Sequence, residues 1–109
     1  MSISFEDFIK LEIRIGTIVS VEAVPDADKL LKLEVDLGEE SPRQIISGIK
    51  HFFEDFSVLE GKQAPFLANL ESRVIRGLES QGMIMAMGEG DEFTLLSPEK
   101  KVAPGTLVR

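Results

Sequence analysis

Residues 31–37 read LKLEVDL, the clearest two-residue alternation of apolar and charged side chains in the chain. Successive side chains of a strand point to opposite faces, so this segment is predicted to be a strand with one buried face and one face in water. Residues 12–24 (EIRIGTIVSVEAV) are rich in β-branched side chains, which favour a second strand. Gly16 within that strand predicts a bulge or a sharp bend. Residues 25–28 (PDAD) are typical of a turn, because proline presets φ and aspartate bonds its own backbone.

The rest of the chain repeats this pattern of short strands and turns. A short helix is predicted within residues 4–10, and residues 51–62 are predicted to be a loop with one helical turn. Further strands are predicted at residues 43–49, 63–70, 80–87 and 93–96, the last of them closing the sheet. Residues 98–109 are expected to form an extended C-terminal segment. Together these elements favour an all-β fold, a five-stranded Greek-key barrel of the OB-fold type with a short N-terminal helix, over an α/β fold.

Length and composition are those of one globular domain, residues 1–109. The chain is 43% hydrophobic and 28% charged, and it has no cysteine, so disulfides and thiolate metal sites are excluded and a cytoplasmic location is favoured. No apolar run approaches the ~20 residues that a membrane helix needs, so no membrane association is expected. The acidic Glu6 and Asp7, without an apolar core, argue against a secretory signal.

The net charge of −7 argues against a general nucleic-acid coat protein, which would be basic over most of its surface. The charge is uneven, however. Residues 22–40 carry seven acids against two lysines, whereas residues 43–53 carry Arg43 and Lys50 and no acid. A local basic face on an acidic body would select a polyanion by shape and a few contacts, because long-range attraction would be weak.

Motifs for catalysis and for metal or cofactor binding are missing from the sequence. His51 is the only histidine, which excludes histidine clusters, and its phenylalanine neighbours favour a packing role. Ser80 does not fit a nucleophile elbow, because the preceding glycine lies three positions back. Asp26 and Asp28 lack the glycine and the distal glutamate of a calcium loop. We therefore expect a protein that is not an enzyme and has no metal and no cofactor.

Residues 69–85 (NLESRVIRGLESQGMIM) carry more donor groups than a core strand pair needs. Arg73 and Arg76 can each present a planar fork to phosphate. Asn69 and Ser80 can hydrogen-bond sugars or base edges. From the segment alone, a polar turn between two strands is an equally good interpretation.

Methionines and phenylalanines offer two further candidate contact surfaces. Met85 and Met87 are expected to fill the barrel core or a subunit interface. The phenylalanines at positions 52, 53 and 56 could stack on bases, but we expect at least two of them to plug an end of the barrel.

The chain resembles, nearly end to end, the tRNA-binding OB domain appended to methionyl-tRNA synthetases. That domain also occurs as a free-standing structure-specific tRNA-binding protein. The resemblance is carried by IRIG (13–16), DKLLKLEVDLG (28–38), IISGI (45–49), ANL (68–70) and IRGLESQGM (75–83), in the family's order and spacing. It implies a homodimer that grips the outer corner of the L-shaped tRNA through shape and backbone contacts. It also implies that the domain has no catalytic activity and that methionyl-tRNA synthetase is a candidate partner.

The resemblance also implies a tRNA-binding surface. Its members are Lys32, Asn69, Arg73, Arg76, Ser80 and Met83, with Arg14 as a weaker member that could instead brace the barrel. Lysine would meet phosphate as a point charge, and the arginines would bind it bidentately. Asparagine and serine would reach 2′-hydroxyls, which separate RNA from DNA, and methionine would lie against a sugar or an exposed base.

One departure from the family pattern weakens this surface. Relatives commonly carry a Lys-Pro pair and a further lysine where this chain has Glu71, Ser72 and Val74. Affinity for tRNA is therefore expected to be low, unless anchoring to a synthetase raises the effective concentration. Two other functions stay open. One is a chaperone for unfolded polypeptide, as in secretion-related relatives with the same barrel. The other is a purely structural dimerisation domain.

Overall fold

The computed structural model describes residues 1–109 and contains one short helix and nine strands. The helix, α1, spans Phe5–Phe8. The strands are β1 (Ile13–Ala23), β2 (Leu31–Asp36), β3 (Arg43–Ser47), β4 (Gln63–Leu67), β5 (Arg73–Ile75), β6 (Leu78–Ser80), β7 (Met83–Ile84), β8 (Ala86–Met87) and β9 (Thr94–Leu95). Five of them form an antiparallel sheet in the order β3-β2-β1-β4-β7, which curls into a nearly closed barrel. The predicted all-β barrel of the OB type is confirmed.

The long strand β1 organises the barrel because it changes partners along its length. Its first half pairs with β4 and its second half pairs with β2. The bulge predicted at Gly16 lies instead between Ile18 and Ser20, where the register with β2 shifts. Gly16 serves close packing: a Cβ there would lie 2.5 Å from the Val35 side chain and 2.9 Å from the ring of Phe66. A larger residue would force these core side chains apart.

The core lies inside the barrel and follows the predicted alternation on β2. Leu31, Leu33 and Val35 are fully buried, while the charged residues between them face outward. Ile18 on β1 and Phe66 on β4 are also fully buried. Each such aliphatic or aromatic side chain contributes about 1.5–3 kcal/mol on burial, so this interior supplies most of the driving force for folding.

The helical segments are shorter and more numerous than the sequence predicts. Helix α1 begins after Ser4, whose Oγ accepts a hydrogen bond from the Asp7 backbone N–H at 3.1 Å, and it buries none of its side chains. Residues 51–62 contribute to two 3₁₀ turns, Lys50–Phe52 and Phe56–Leu59, instead of one helical turn. The second turn inserts a fully buried leucine into the core.

The barrel closes with a different strand from the one predicted. Strand β7 pairs with β4, matching Phe66 with Ile84, whereas β9 pairs only with β8 outside the main sheet. The predicted strand at residues 80–87 is interrupted at Gly82, which has a φ of 149° and would place a Cβ 3.1 Å from the Leu67 carbonyl oxygen. Residues 78–80 therefore leave the sheet and pair with β5 in a hairpin.

The C-terminal segment is extended, as predicted, and lies along the free edge of β1 beyond the end of its pairing with β2. Ile15 N–H donates to the Thr106 carbonyl at 2.8 Å, and Val108 N–H donates to the Ile13 carbonyl at 2.7 Å. The side chain of Gln63 fixes the start of this segment by bonding both backbone groups of Val102. None of the helices in the structure has the length and apolar character to cross a membrane.

Aromatic residues pack against the core, as expected for the phenylalanines. Phe52 and Phe93 stack with ring centroids 3.9 Å apart and an interplanar angle of 7°. His51 lies on Phe52 at 4.1 Å, which agrees with its predicted packing role. Of the two methionines predicted to fill core or interface, Met85 is half-buried and Met87 is exposed.

Candidate nucleic-acid interface

The hairpin formed by β5 and β6 lies on the outer wall of the barrel, across β3. Gln44 Nε2 donates to the Glu79 carbonyl at 2.8 Å, and the Gln81 N–H donates to the Gln44 carbonyl at 2.8 Å. Ile46 N–H donates to Ser80 Oγ at 3.0 Å. These bonds use the edge of β3 that is not paired with β2. Strands β3 and β7 are not hydrogen-bonded to each other, so the hairpin and Gln81 satisfy the backbone groups that β7 leaves unpaired on β3.

Two residues form the turn at the tip of this hairpin. Ile75 and Leu78 pair across it, which leaves Arg76 and Gly77 as the loop. Both have left-handed backbones, with φ of 53° and 79°, as a two-residue type I′ turn requires. Arginine at such a position is strained, because only glycine, asparagine and aspartate adopt this conformation readily. The turn leaves Arg76 exposed at the tip.

Arg73 lies at the base of the hairpin, opposite Ser80. With Met83 and Ile46 these two residues help to line a depression of about 80 Å³. Arg73 and Met83 are exposed. The structure therefore brings three of the predicted site residues together around one small hollow.

Ser80 has little freedom to contact a ligand. Its side chain is only 5% exposed, its Oγ accepts from Ile46 N–H, and it donates to the Gly82 carbonyl at 3.2 Å. This hydroxyl fastens the hairpin to β3 at the point where the chain turns back into the barrel.

The side chains of Asn69 and Arg14 are also engaged within the protein. Asn69 Oδ1 accepts from the Glu12 N–H at 2.8 Å, and its Nδ2 donates to the Lys10 carbonyl at 2.6 Å, so it fixes the N-terminal segment. Arg14 pairs with the Glu12 carboxylate at 3.0 Å and donates through Nη1 to the Gly105 carbonyl at 2.9 Å. This is the bracing position that the sequence left open as an alternative.

Lys32 lies on the polar face of β2, as the alternation predicts. It is opposite Ile46 of β3, so it lies on the same outer wall as the hairpin. Its Nζ is 3.7 Å from Glu22 Oε2, and its side chain is only 27% exposed. A phosphate would have to compete with this carboxylate for the ammonium group.

Arg43 is a structural residue whose position the sequence did not reveal. Its Nη1 donates to the Ala68 carbonyl and, at 3.1 Å, to the Gln81 carbonyl, while Nε and Nη2 each bond a carboxylate oxygen of Glu39 at 2.8 Å. The hydrogen bonds from Arg43 hold the pKa of Glu39 below its ordinary value. The four-residue spacing of Glu39 and Arg43 can be read from the sequence. The bonds from Arg43 to the Ala68 and Gln81 carbonyls cannot, because those residues are distant along the chain.

The site therefore offers two unpaired guanidinium groups on one hairpin. Arg73 and Arg76 make no ion pair within 4.0 Å, and each can bind a phosphate bidentately. Val74 between them is exposed and could lie against a sugar or a base. The acidic residues Glu71 and Glu79 flank the arginines and reduce their long-range attraction. No three histidine or carboxylate side chains are grouped so as to hold a metal ion.

An OB-type barrel with exposed arginines on an outer hairpin has the features of a nucleic-acid-binding domain. Residues 13–107 match the family described as "Putative tRNA binding domain". The chain belongs to this family of tRNA-binding domains, which confirms the resemblance drawn from the sequence motifs.

Methionine–tRNA ligases are similar in sequence over almost the whole chain. The enzyme of Methanococcoides burtonii is 50% identical over 107 residues, which cover 97% of this chain and 16% of the enzyme. That of Porphyromonas gingivalis is 46% identical over 109 residues, covering 98% of the chain and 16% of the enzyme. The chain thus spans about a sixth of the length of these relatives.

Two solved structures share the fold over its full length. A MetRS-related protein from Pyrococcus horikoshii superposes with a TM-score of 0.90 at 30% identity, covering 100% of this chain and 99% of that one. The chaperone CsaA from Bacillus anthracis superposes with a TM-score of 0.87 at 26% identity, covering 100% of both chains. In both cases the superposition extends over essentially the whole of the solved chain.

Proposed function

We propose that the protein is a homodimeric, non-catalytic module that binds tRNA by its shape, free-standing or assisting methionyl-tRNA synthetase in aminoacylation in the cytoplasm. The observation that carries the proposal is the pair of unpaired arginines, Arg73 and Arg76, on an exposed hairpin of a barrel from a tRNA-binding family. Few contacts and a net charge of −7 favour recognition by shape over general attraction to phosphate.

The predicted site residues divide into contacting and supporting groups in this proposal. Arg73 and Arg76 bind phosphates, and Met83 lies against a sugar or an exposed base. Lys32 joins them where phosphate displaces Glu22. Asn69, Ser80 and Arg14 act mainly through the hydrogen bonds they make within the protein, which shape the surface. Their substitution would therefore lower both stability and tRNA affinity.

Exposed apolar residues at both chain ends support the proposed homodimer. Phe5 is 74% exposed and Leu107 is 46% exposed, and Ile9, Leu11 and Val108 are exposed as well. The two ends are adjacent, because the C-terminal segment is bonded to the start of β1. A second copy that covered this surface would remove its apolar side chains from water.

The proposed function is tested by binding at low salt to a folded tRNA transcript and to an unstructured RNA of the same length. We expect the folded tRNA to bind more tightly. Arg76→Ala should weaken binding to all tRNAs alike, because it removes a contact to the phosphate backbone of the RNA, which does not depend on sequence. Lys101→Ala makes the same change in net charge outside the hairpin and serves as the control. Equal binding to both RNAs, or none to either, would contradict the proposal.

A chaperone function is the second candidate, and the likeness to CsaA across both full chains is the observation that favours it. A chaperone would suppress the aggregation of an unfolding client protein, and Arg76→Ala would leave that activity unchanged. Suppression without selective tRNA binding would replace the first proposal with this one.

A further inference from the structure

Strand β6 runs antiparallel to β3, and the hairpin of β5 and β6 extends beyond the C-terminal end of β3. Gln81 is bonded to Gln44 near the start of β3, and Ser80 is bonded to Ile46 further along. Following the hairpin backwards from Ser80 therefore leads past the last residue of β3 towards residues 48–50. The tip, which carries Arg76, lies at that end of the outer wall.

Two lysines from other segments lie at the same end. Arg76 and residues 27–30 line one open depression of about 400 Å³. Lys29 belongs to that loop, and its carbonyl accepts a hydrogen bond from the Lys50 N–H at 3.0 Å. Three segments distant in sequence thus bring Lys29, Lys50 and Arg76 to one end of the barrel wall.

The three cations at this end are free of carboxylate partners. None of them has a carboxylate oxygen within 4.0 Å, in contrast to Lys32, which is held by Glu22. Asp28 is the single acid among the residues that line the depression. A lysine that meets phosphate releases counterions condensed on the nucleic acid, and an unpaired lysine does so without first breaking an ion pair. Lys29 and Lys50 are therefore better placed than Lys32 to contribute affinity.

We propose that Lys29 and Lys50 form, with Arg76, a phosphate-binding site at the hairpin tip. The tRNA backbone would pass from Arg73 over the tip to the loop of residues 27–30. This inference rests on the proposed tRNA binding and specifies where the backbone runs. It adds Lys29 and Lys50 to the phosphate contact that the family resemblance implies for Lys32.

The test compares two double variants with the same change in net charge. Lys29→Ala/Lys50→Ala removes the two lysines at the tip. Lys100→Ala/Lys101→Ala removes two exposed lysines that line a different groove, beside residues 61–63. Binding of a tRNA transcript is measured by fluorescence anisotropy at several salt concentrations. The tip variant should bind about tenfold more weakly and lose about one unit of log–log salt slope per lysine, whereas the control should stay within about twofold of wild type.

Equal affinities and slopes for the two double variants would overturn the site, since the effect would then reflect net charge alone. A larger loss in Lys100→Ala/Lys101→Ala would place the RNA in the other groove and would overturn it as well. Failure of the wild-type protein to bind tRNA would overturn the proposed function itself, which is a distinct result. Thermal melting of each variant checks that it folds. The hydrogen bond between Lys50 and Lys29 joins backbone groups, so side-chain substitution should leave it intact. Lys29→Gln/Lys50→Gln should therefore melt like wild type and bind tRNA as weakly as the alanine variant, and wild-type affinity in this variant would overturn the site.

Discussion

At the scale of single residues, Arg43 shows how one guanidinium group can hold several segments of a small barrel. It reaches the carbonyls of Ala68 and Gln81 and grips Glu39 with two parallel bonds. The segments that it joins are 25 and 38 residues away along the chain. The Arg43 side chain therefore links β3 to residues 68 and 81 where the barrel has no hydrogen-bonded strand pair, a gap called the seam below.

Replacing Arg43 by alanine is expected to lower the free energy of unfolding by about 2 kcal/mol, because two partly buried carbonyls lose their donor. Urea denaturation followed by circular dichroism measures the change. The Lys101 side chain makes no hydrogen bond within the protein, so the free energy of unfolding of Lys101→Ala should stay within about 0.5 kcal/mol of the wild-type value. Equal stabilities of the two variants would show that Arg43 does not hold the seam.

The ion pair of Glu39 and Arg43 predicts a small acid-dependent loss of stability. The hydrogen bonds from Arg43 lower the pKa of Glu39 in the folded protein from its ordinary value of 4.5. The carboxylate therefore stabilises the fold above pH 4.5, and this contribution is lost as the pH falls through the lowered pKa. Because Glu39 is about half exposed, we expect less than about 1 kcal/mol. The stability difference between wild type and Glu39→Gln should shrink below pH 4.5, and a constant difference would contradict the assignment.

At the scale of the secondary-structure element, the hairpin of β5 and β6 places the proposed phosphate contact and backbone strain at the same residue. Arg76 adopts a left-handed conformation in which asparagine is more stable than arginine. Arg76→Asn should therefore raise the free energy of unfolding by about 0.5 kcal/mol, while it weakens tRNA binding through the lost charge. Urea denaturation and anisotropy measure the two effects, and Arg76→Ala, which keeps the strain, serves as the control. A stability of Arg76→Asn no higher than that of Arg76→Ala would show that the left-handed backbone at this position is not a source of strain.

At the scale of the whole molecule, the exposed apolar side chains at the chain ends are the observation that supports the proposed homodimer. A dimer doubles the number of arginine hairpins and raises the effective concentration of the second contact. If the proposed dimer forms, Leu107→Gln should convert it to a monomer in light scattering and weaken tRNA binding, because the Leu107 side chain lies on the proposed interface. Val58→Ser, at a similarly exposed position outside the chain ends, should leave both properties unchanged. A wild-type protein that is already monomeric would exclude the dimer.

The strands that alternate in sequence were predictable, because the side-chain period of a strand is a local property. The fully buried Leu31, Leu33 and Val35 lie where LKLEVDL requires them. The closing strand was not predictable in the same way. Its position depends on the interruption at Gly82 and on hydrogen bonds from the Gln44 side chain to the Glu79 carbonyl and from the Ile46 N–H to Ser80 Oγ, more than thirty residues away. That β7 and not β9 completes the main sheet is a consequence of how the barrel closes, which no single segment of the sequence reveals.

The candidate site divides along the same line. The sequence determined that Arg73 and Arg76 lie in a polar segment of a chain that resembles a tRNA-binding family, since composition and motifs are read in order along the chain. The hairpin that carries the two arginines is a finding of the structure. Only the tertiary structure decided which donors are free. Asn69 and Ser80 are bonded to Lys10 and Ile46, while Lys29, Lys50 and Arg76 remain unpaired at one end of the wall. A side chain's availability depends on the partners that folding brings within 3 Å, and those partners are tens of residues distant in sequence.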